Sequence, residues 1–159
     1  MRSSVREHPL LESFPSRSFA TLMELYESNY ILLRRLAPEL RAMGDAVSEV
    51  PNGVDLHLCV LELAPYTTSL SLTHYFDPGS PLRAEPNLLV RVYHDARAAE
   101  VMPDTPTERF RLWADRQPEP KSLAWRWELN RFLNRWLRYC LAEGHGFPGA
   151  GFAREAFTG

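Results

Sequence analysis

The sequence predicts an α+β fold with a single domain. In this fold one helix precedes four or five antiparallel strands, a second helix follows them, and both helices pack on one face of the sheet. Two segments with apolar residues at three- and four-residue steps enclose a region of short segments in which apolar and polar residues alternate. Pro and Gly clusters separate the alternating segments. The 159 residues, of which 45% are hydrophobic, suffice for one buried core without disulfides or metal.

The first helix is predicted to begin after Ser18 and to end near Pro38. Serine is a favoured N-cap residue, because its side-chain oxygen accepts a hydrogen bond from a free backbone N–H of the first turn. The apolar stripe of this helix requires a partner surface. The stripe consists of Phe19, Leu22, Met23, Tyr26, Tyr30, Leu33 and Leu36.

The central region is predicted to be a sheet with one polar, solvated face. "VDLHLCVLEL", residues 54–63, follows a Pro51-Asn52-Gly53 turn and has the alternation of a strand. "YTTSLSLTHYF", residues 66–76, alternates more regularly, which is typical of an antiparallel sheet covered on one side only. Residues 77–86 read as a connection, and "NLLVRVYHD" and "AAEVM" then form a second hairpin. In the strand at residues 66–76, the side chains alternate between the two faces of the sheet. One face carries Thr68, Leu70, Leu72 and His74, and the other carries Thr67, Ser69, Ser71 and Thr73.

The C-terminal part contains the strongest helix pattern in the chain. Ser122 is positioned to cap it, and Gly144 is a natural stop after its last turn. Before it, a short strand is predicted at Phe110–Trp113, and Pro118 and Pro120 exclude a helix. The domain is therefore expected to span residues 18–145, with a flexible arm at 1–17 and a mobile tail at 146–159. The apolar row of the helix is Trp125, Leu129, Phe132, Trp136 and Cys140, widened by Leu133, Leu137 and Leu141.

Composition and motifs exclude several classes of protein. The formal net charge of −2 and the pI of about 6.2 give no global basic field for nucleic acid or membrane surfaces. The sequence has neither a signal-peptide core nor an apolar run of membrane-spanning length, so a cytoplasmic protein is expected. It contains no P-loop, GxGxxG or GxSxG motif, and no cofactor is expected. Cys59 and Cys140 lie in apolar stretches, which predicts buried free thiols.

The stretch "RVYHDARAAEV", residues 91–101, resembles an active site more than any other part of the chain. A hairpin centred on Asp95-Ala96 accounts for most of it, because Arg91 then faces Glu100 as a cross-strand ion pair. Asp95 can accept a hydrogen bond from the turn backbone. Such a turn does not require His94, whose imidazole can exchange a proton near neutral pH.

The best candidate site is the end of the sheet around His94. A hairpin between Tyr66 and Tyr93, centred on residues 81–82, would place His94 near Thr68 and Ser69. A phenol, two hydroxyls, an imidazole and a carboxylate would then meet, either to bind a small polar ligand or as a simple hydrogen-bond network. We call this group the His94 rim. It consists of Tyr66, Thr67, Thr68, His94 and Asp95, with Arg91 as an additional ligand contact.

A metal site formed by histidines is disfavoured. His57, His74 and His94 fall on three successive predicted strands. In an antiparallel register, however, His74 and His94 end their strands about 17 Å apart at ~3.3 Å per residue. Ligands of zinc must lie about 2 Å from one ion, so no metal site is expected.

The second helix raises a nucleic-acid alternative. Its arginines follow an i, i+4, i+7 spacing beside three tryptophans, and arginine with aromatic residues can bind phosphates and stacked bases. Two glutamates dilute this patch, and the tryptophans fit the buried row. The arginines of this helix are Arg131, Arg135 and Arg138, and those near the first helix are Arg34, Arg35 and Arg41.

Four segments in order resemble the YqiB-like family of uncharacterised bacterial proteins, a domain of unknown function. They are "LMELYESNYILLRRLAPEL", "YTTSLSLTHY", "RVYHDARAAEV" and "NRFLNRWLRYCLAEGH", and the resemblance covers roughly residues 19–145. It implies a small cytoplasmic bacterial protein and supplies no activity, cofactor or ligand.

The favoured function is a non-enzymatic module that binds a partner protein or a small polar ligand. One alternative is an enzyme on a nucleotide-like or phosphorylated metabolite, with His94 as acid/base and Arg91 as anion contact. A second alternative is a weak RNA or single-strand binder. The solvated sheet face or an uncovered edge strand would also suit a homodimer.

Overall fold

The computed structural model describes residues 18–75, 84–103, 105 and 122–148. The predicted arm at 1–17, the strand predicted at 110–113, Pro118 and Pro120 lie outside the described residues, as do residue 76, residues 77–83 of the predicted connection and the tail from 149 onward. Residues 84–86, predicted as part of that connection, belong to a strand instead.

The described residues form two helices and one antiparallel sheet of five strands, which confirms the predicted α+β fold class. The strands lie in the sheet in chain order, each paired with the next. Neither described helix is long and apolar enough to cross a membrane. The helices are α1 (Phe19–Leu36) and α2 (Leu123–Ala142), and the strands are β1 (Ala46–Ser48), β2 (Asp55–Leu63), β3 (Thr67–Tyr75), β4 (Ala84–Tyr93) and β5 (Ala98–Val101).

Both helices begin at the serines predicted to cap them. The Thr21 N–H donates to Ser18 Oγ (3.1 Å), and Thr21 Oγ1 in turn accepts from the Ser18 N–H (3.0 Å), which makes a reciprocal capping box. In α2 the Trp125 N–H donates to Ser122 Oγ (3.1 Å). After α2, Gly144 adopts a φ of +98°, a left-handed conformation that favours glycine and ends the helix.

The core lies between one face of the sheet and the two helices. Side chains alternate across a strand, so Leu70 and Leu72 of β3 point inward together with Val90 and Val92, their neighbours on β4. From the helices, Leu33 of α1 and further apolar side chains of α2 complete the same cluster. The α2 members are Trp125, Leu129, Leu133, Trp136, Leu137 and Cys140.

The buried face of α1 is rotated relative to the predicted stripe. Phe19 and Met23 are exposed, whereas Leu25 and Leu32 are buried. The reason is that α1 packs against both α2 and the edge strand β5, so its buried arc includes positions that a simple apolar stripe omits. Leu22, Tyr30, Leu33 and Leu36 are buried, as the stripe predicts.

Parts of the outer sheet face are covered by polar side chains. Ser69 and Thr73 are buried, although the alternation predicts a solvated face. Arg91 Nε donates to Ser69 Oγ (3.4 Å), and Thr73 Oγ1 donates to Asn87 Oδ1 (2.8 Å), so side chains of β4 shield those of β3. Cys59 lies on this outer face and is exposed, so its predicted burial is wrong, whereas Cys140 is buried.

Candidate functional site

His94 directly follows β4 and faces the start of β3. Its N–H donates to the Tyr66 carbonyl (2.8 Å), and its Nε2 lies 2.8 Å from Thr68 Oγ1. The predicted hairpin centre at residues 81–82 is wrong, because Thr68 pairs with Val92. Residues 92 and 94 point to the same side of the strand, so His94 still contacts Thr68 as a diagonal neighbour. The predicted neighbours of His94 are therefore present in a different register.

The imidazole of His94 has one satisfied and one unsatisfied nitrogen. The side chain is only 6% exposed, and Nδ1 is buried without a hydrogen-bond partner. Burial lowers the pKa of His94 below its ordinary value, the charges of Arg41 and Arg34 lower it further, and Asp95 acts in the opposite direction. The ring is thus neutral at neutral pH, with a free polar atom at the sheet end.

Two arginines, Arg34 and Arg41, lie close enough to His94 for their charges to lower its pKa. Arg34 donates from Nη1 to the Tyr30 hydroxyl (2.8 Å) and from Nη2 to the Pro38 carbonyl (3.1 Å), while its Nε is buried without a partner. Arg41 Nη2 donates to the Pro65 carbonyl (3.2 Å). Pro65 precedes Tyr66, whose own carbonyl binds the His94 N–H, so Arg41 is tied to the same end of the sheet.

The sequence pattern associates these two arginines with the nucleic-acid alternative and not with His94. More than fifty residues separate Arg41 from His94 along the chain, and no local pattern connects them. Both arginines lie at or beyond the C-terminal end of the first helix. Positive side chains are common there because they interact favourably with the helix dipole, so this position does not indicate a contact with His94.

The other residues of the His94 rim are placed unequally. Tyr66 is 64% exposed and Thr67 is half-buried opposite Tyr93. Asp95 is exposed, and its carboxylate accepts from the Ala96 N–H (2.9 Å), as the turn predicts. The rim is therefore a buried pair, Thr68 and His94, bordered by the half-buried Thr67 and the exposed Tyr66 and Asp95.

Arg91 does not join the rim. It alternates with Val90 and Val92, which point into the core, so its side chain lies on the opposite face of the sheet from His94. There it bonds Ser69. The enzyme alternative thus lacks the anion contact assigned to Arg91.

The second hairpin has the predicted register. Arg91 pairs with Glu100 and Val92 with Ala99. The predicted Arg91–Glu100 ion pair is not formed in the described part of the chain. The Glu100 carboxylate instead accepts from the Tyr93 hydroxyl (2.6 Å) and lies 3.7 Å from Arg126. The helix α2 thus supplies the cation that the hairpin was expected to supply.

The three tryptophans of α2 do not offer their rings for stacking beside its arginines. They are Trp125, Trp127 and Trp136. All three are buried, with exposures of 3–6%. Arg135 is exposed, Arg131 is half-buried, and Arg138 is half-buried and donates from Nε to Asn134 Oδ1 (3.1 Å). Stacking of bases on these rings would require the core to open.

The histidines of the sheet occupy separate surroundings. His74 pairs with Leu56 on the core face, whereas His57, the next residue of β2, faces the other side. His74 Nδ1 accepts from the Trp136 indole N–H (3.1 Å), and the ring packs edge-on against Trp136. Among the described residues, no group of three histidine, cysteine or carboxylate side chains is arranged to hold a metal ion.

A second polar cluster, which the sequence did not reveal, joins β1 to the segment after α2. Ser48 Oγ lies 2.9 Å from His145 Nδ1 and accepts from the Gly146 N–H (3.0 Å). Ser48 and Gly146 border an open cleft of about 400 Å³. Ser48 and His145 are both buried, and the Ser48 hydroxyl bonds both His145 and Gly146 of this segment, so its evident role is to hold the segment in place.

Comparison with known proteins places the chain among uncharacterised relatives. A family model described as "Protein of unknown function (DUF1249)" matches residues 32–146. The chain is 36% identical over 128 residues to "Uncharacterized protein YqiB" of Escherichia coli strain K12, which is 79% of this chain and 90% of the relative. The protein of the same name from E. coli O157:H7 matches equally. No solved structure matches the chain. The resemblance seen in the four sequence segments is confirmed.

Proposed function

This chain belongs to the family of proteins of unknown function DUF1249, and we propose that it is a small, cytoplasmic, non-enzymatic module that binds a small polar ligand at the His94 rim. The proposal rests on one observation, the buried Nδ1 atom of His94 without a hydrogen-bond partner. A buried polar atom left without a partner costs roughly 1–3 kcal/mol, which a ligand bonded there would recover.

The surroundings of His94 favour binding over catalysis. The hydroxyl that contacts the imidazole belongs to Thr68, which is 1% exposed and lies within a strand. This hydroxyl is engaged with His94 Nε2 at 2.8 Å, so its role is to orient the imidazole ring. The exposed Tyr66 leaves a polar border that a ligand can contact.

The test is to identify small molecules that remain bound to the protein after purification from a bacterial lysate, using native mass spectrometry. We expect a bound species on the wild-type protein and at least about tenfold weaker retention by His94→Ala, since one hydrogen bond to a buried group is lost. The matched control is His57→Ala, on the opposite face of the sheet, which should retain the species fully.

Folding of both variants is checked by circular dichroism and thermal unfolding. Equal retention by His94→Ala and the wild-type protein would exclude this site. A protein partner that is lost with His94→Ala, without any small molecule, would exclude the ligand in favour of a protein interface.

A further inference from the structure

Positive charge from Arg34 and Arg41 acts on His94 at the end of the sheet. Arg34 donates to a phenol and a backbone carbonyl, and Arg41 donates to a backbone carbonyl. Neither guanidinium forms an ion pair with a carboxylate of the described residues, although guanidinium groups bind carboxylate and phosphate strongly. The acidic group whose charge acts on His94 is Asp95, which is exposed and accepts a hydrogen bond from its own turn.

Two buried atoms of this region lack hydrogen-bond partners at the same time. They are the Nε of Arg34, which is always a donor, and the Nδ1 of His94. If the Thr68 hydroxyl donates to His94 Nε2, the imidazole proton resides on Nδ1, which then is a donor as well. Two donors without acceptors, beside a second arginine, match an anionic oxygen group.

Building on the proposed function, we propose that the ligand bound at the His94 rim carries a small oxyanion, a phosphate or a carboxylate, which Arg34, Arg41 and His94 recognise. His94 is 6% exposed, so its part of the site is buried, whereas Arg41 lies at the exposed border. Asp95, at the exposed border, repels a ligand that approaches from that side and restricts its orientation.

The test is an NMR titration of the full chain, labelled on the histidine ring, with inorganic phosphate and separately with acetate at constant ionic strength. Ribose is the uncharged probe. We expect phosphate or acetate to shift the His94 resonances with a saturable curve, and ribose to shift them little. Of the two anions, the one that binds at lower concentration identifies the oxyanion.

Binding of the anion should also raise the measured pKa of His94. The anion opposes the effect of Arg34 and Arg41 and adds to that of Asp95, while the contact with Thr68 is unchanged. By linkage, the affinity for the anion should rise as the pH falls.

Matched variants identify which arginine side chains contribute to anion binding. Arg34→Gln and Arg41→Gln should each weaken anion binding about tenfold or more, because each removes a charge-assisted hydrogen bond. Arg35→Gln removes the same charge from the neighbouring exposed position and should change binding by less than about twofold. If Arg34→Gln does not fold, Arg41→Gln alone decides, since that side chain is exposed.

The failures of the two proposals are distinguishable. Saturable shifts of His94 by ribose or by a neutral lysate compound, but not by the anions, would overturn the oxyanion and leave the binding module standing. Equal weakening by Arg35→Gln would overturn the site and leave a non-specific charge effect. If no probe and no lysate compound shifts His94, both proposals are wrong.

Discussion

His74 shows how burial controls the protonation of one side chain. Burial lowers the pKa of His74 to about 4, and the neighbouring His145 contributes in the same direction. The neutral ring accepts the Trp136 N–H through Nδ1. Protonation of Nδ1 would remove this acceptor and place a charge inside the core.

We therefore predict that the protein loses stability between pH 6.5 and about pH 4. The unfolded chain binds a proton on His74 at a pH where the folded chain does not. Stability is thus fully present above pH 6.5 and declines as the pH falls through this window. Linkage gives a loss of roughly 3 kcal/mol from His74 at the acid end. Burial also lowers the pKa values of His94 and His145, which act in the same direction.

Urea unfolding followed by tryptophan fluorescence at several pH values measures this dependence. His74→Asn keeps an acceptor oxygen for Trp136 but does not titrate, so its free energy of unfolding should vary less with pH. An unchanged pH dependence in this variant would contradict the assignment to His74.

The two helices are joined to each other and to β5 by buried asparagines. Asn130 Oδ1 accepts from the Val101 N–H (2.8 Å), which lies on the free edge of β5. Asn134 Nδ2 donates to Ser28 Oγ (2.9 Å) and to Asn29 Oδ1 (3.0 Å). The helix α2 thereby covers an edge that would otherwise be open to pairing with another chain.

Replacement of Asn130 by alanine should be among the most destabilising changes in α2. It leaves the buried Val101 N–H without an acceptor and removes a contact of the Asn29 amide, and each lost partner costs about 1–3 kcal/mol. We expect the free energy of unfolding to fall by roughly 2–4 kcal/mol, measured by chemical denaturation.

Arg135→Ala, at an exposed position of the same helix, is the control. It should change stability by about 0.5 kcal/mol or less. A comparable loss in Asn130→Ala and Arg135→Ala would show that the asparagine network contributes nothing.

The segment after α2 packs against the end of α1 and against β1. Phe147 is 1% exposed within the core, and its N–H donates to the Leu36 carbonyl at the end of α1 (2.7 Å). Together with the Ser48–His145 pair, this contact joins α1, β1 and the segment following α2. The packed structure thus continues to Phe147.

Phe147→Ala should destabilise the protein by about 3–5 kcal/mol, because a buried aromatic side chain is removed and a cavity remains. Pro148→Ala, at the adjacent exposed position, is the matched control and should have little effect. Thermal and chemical unfolding measure both. A cost for Phe147→Ala as small as that of the control would mean that the segment does not contribute to the core.

The parts of the fold that depend on neighbours along the chain could be predicted. Ser18 and Ser122 cap their helices, and the hairpin of β4 and β5 has the register expected from its turn. The register of β3 with β4 was predicted incorrectly, because a long connection does not define pairing as a tight turn does.

Only part of the candidate site could be predicted from the sequence. His94 and Thr68 were expected to meet, and they do. Arg34 and Arg41 were not assigned to His94, since charged side chains near a helix end are ordinarily solvated and show no periodicity that predicts a partner. The asparagines between the helices were missed for the same reason, because amide side chains are mostly exposed.

The sequence by itself determined the two helices with their caps and the order of strands β2 to β5, since these follow from apolar periodicity and from hydrogen bonds within a few residues. The strand β1 is only 3 residues long, too short to show a period, and was not predicted. Only the tertiary structure decided which polar side chains become buried. Asn29 meets Asn130, Ser48 meets His145, and Arg41 reaches the end of the sheet near His94 through contacts between distant segments. Such contacts depend on how separate helices and strands pack, and each isolated segment is compatible with several packings.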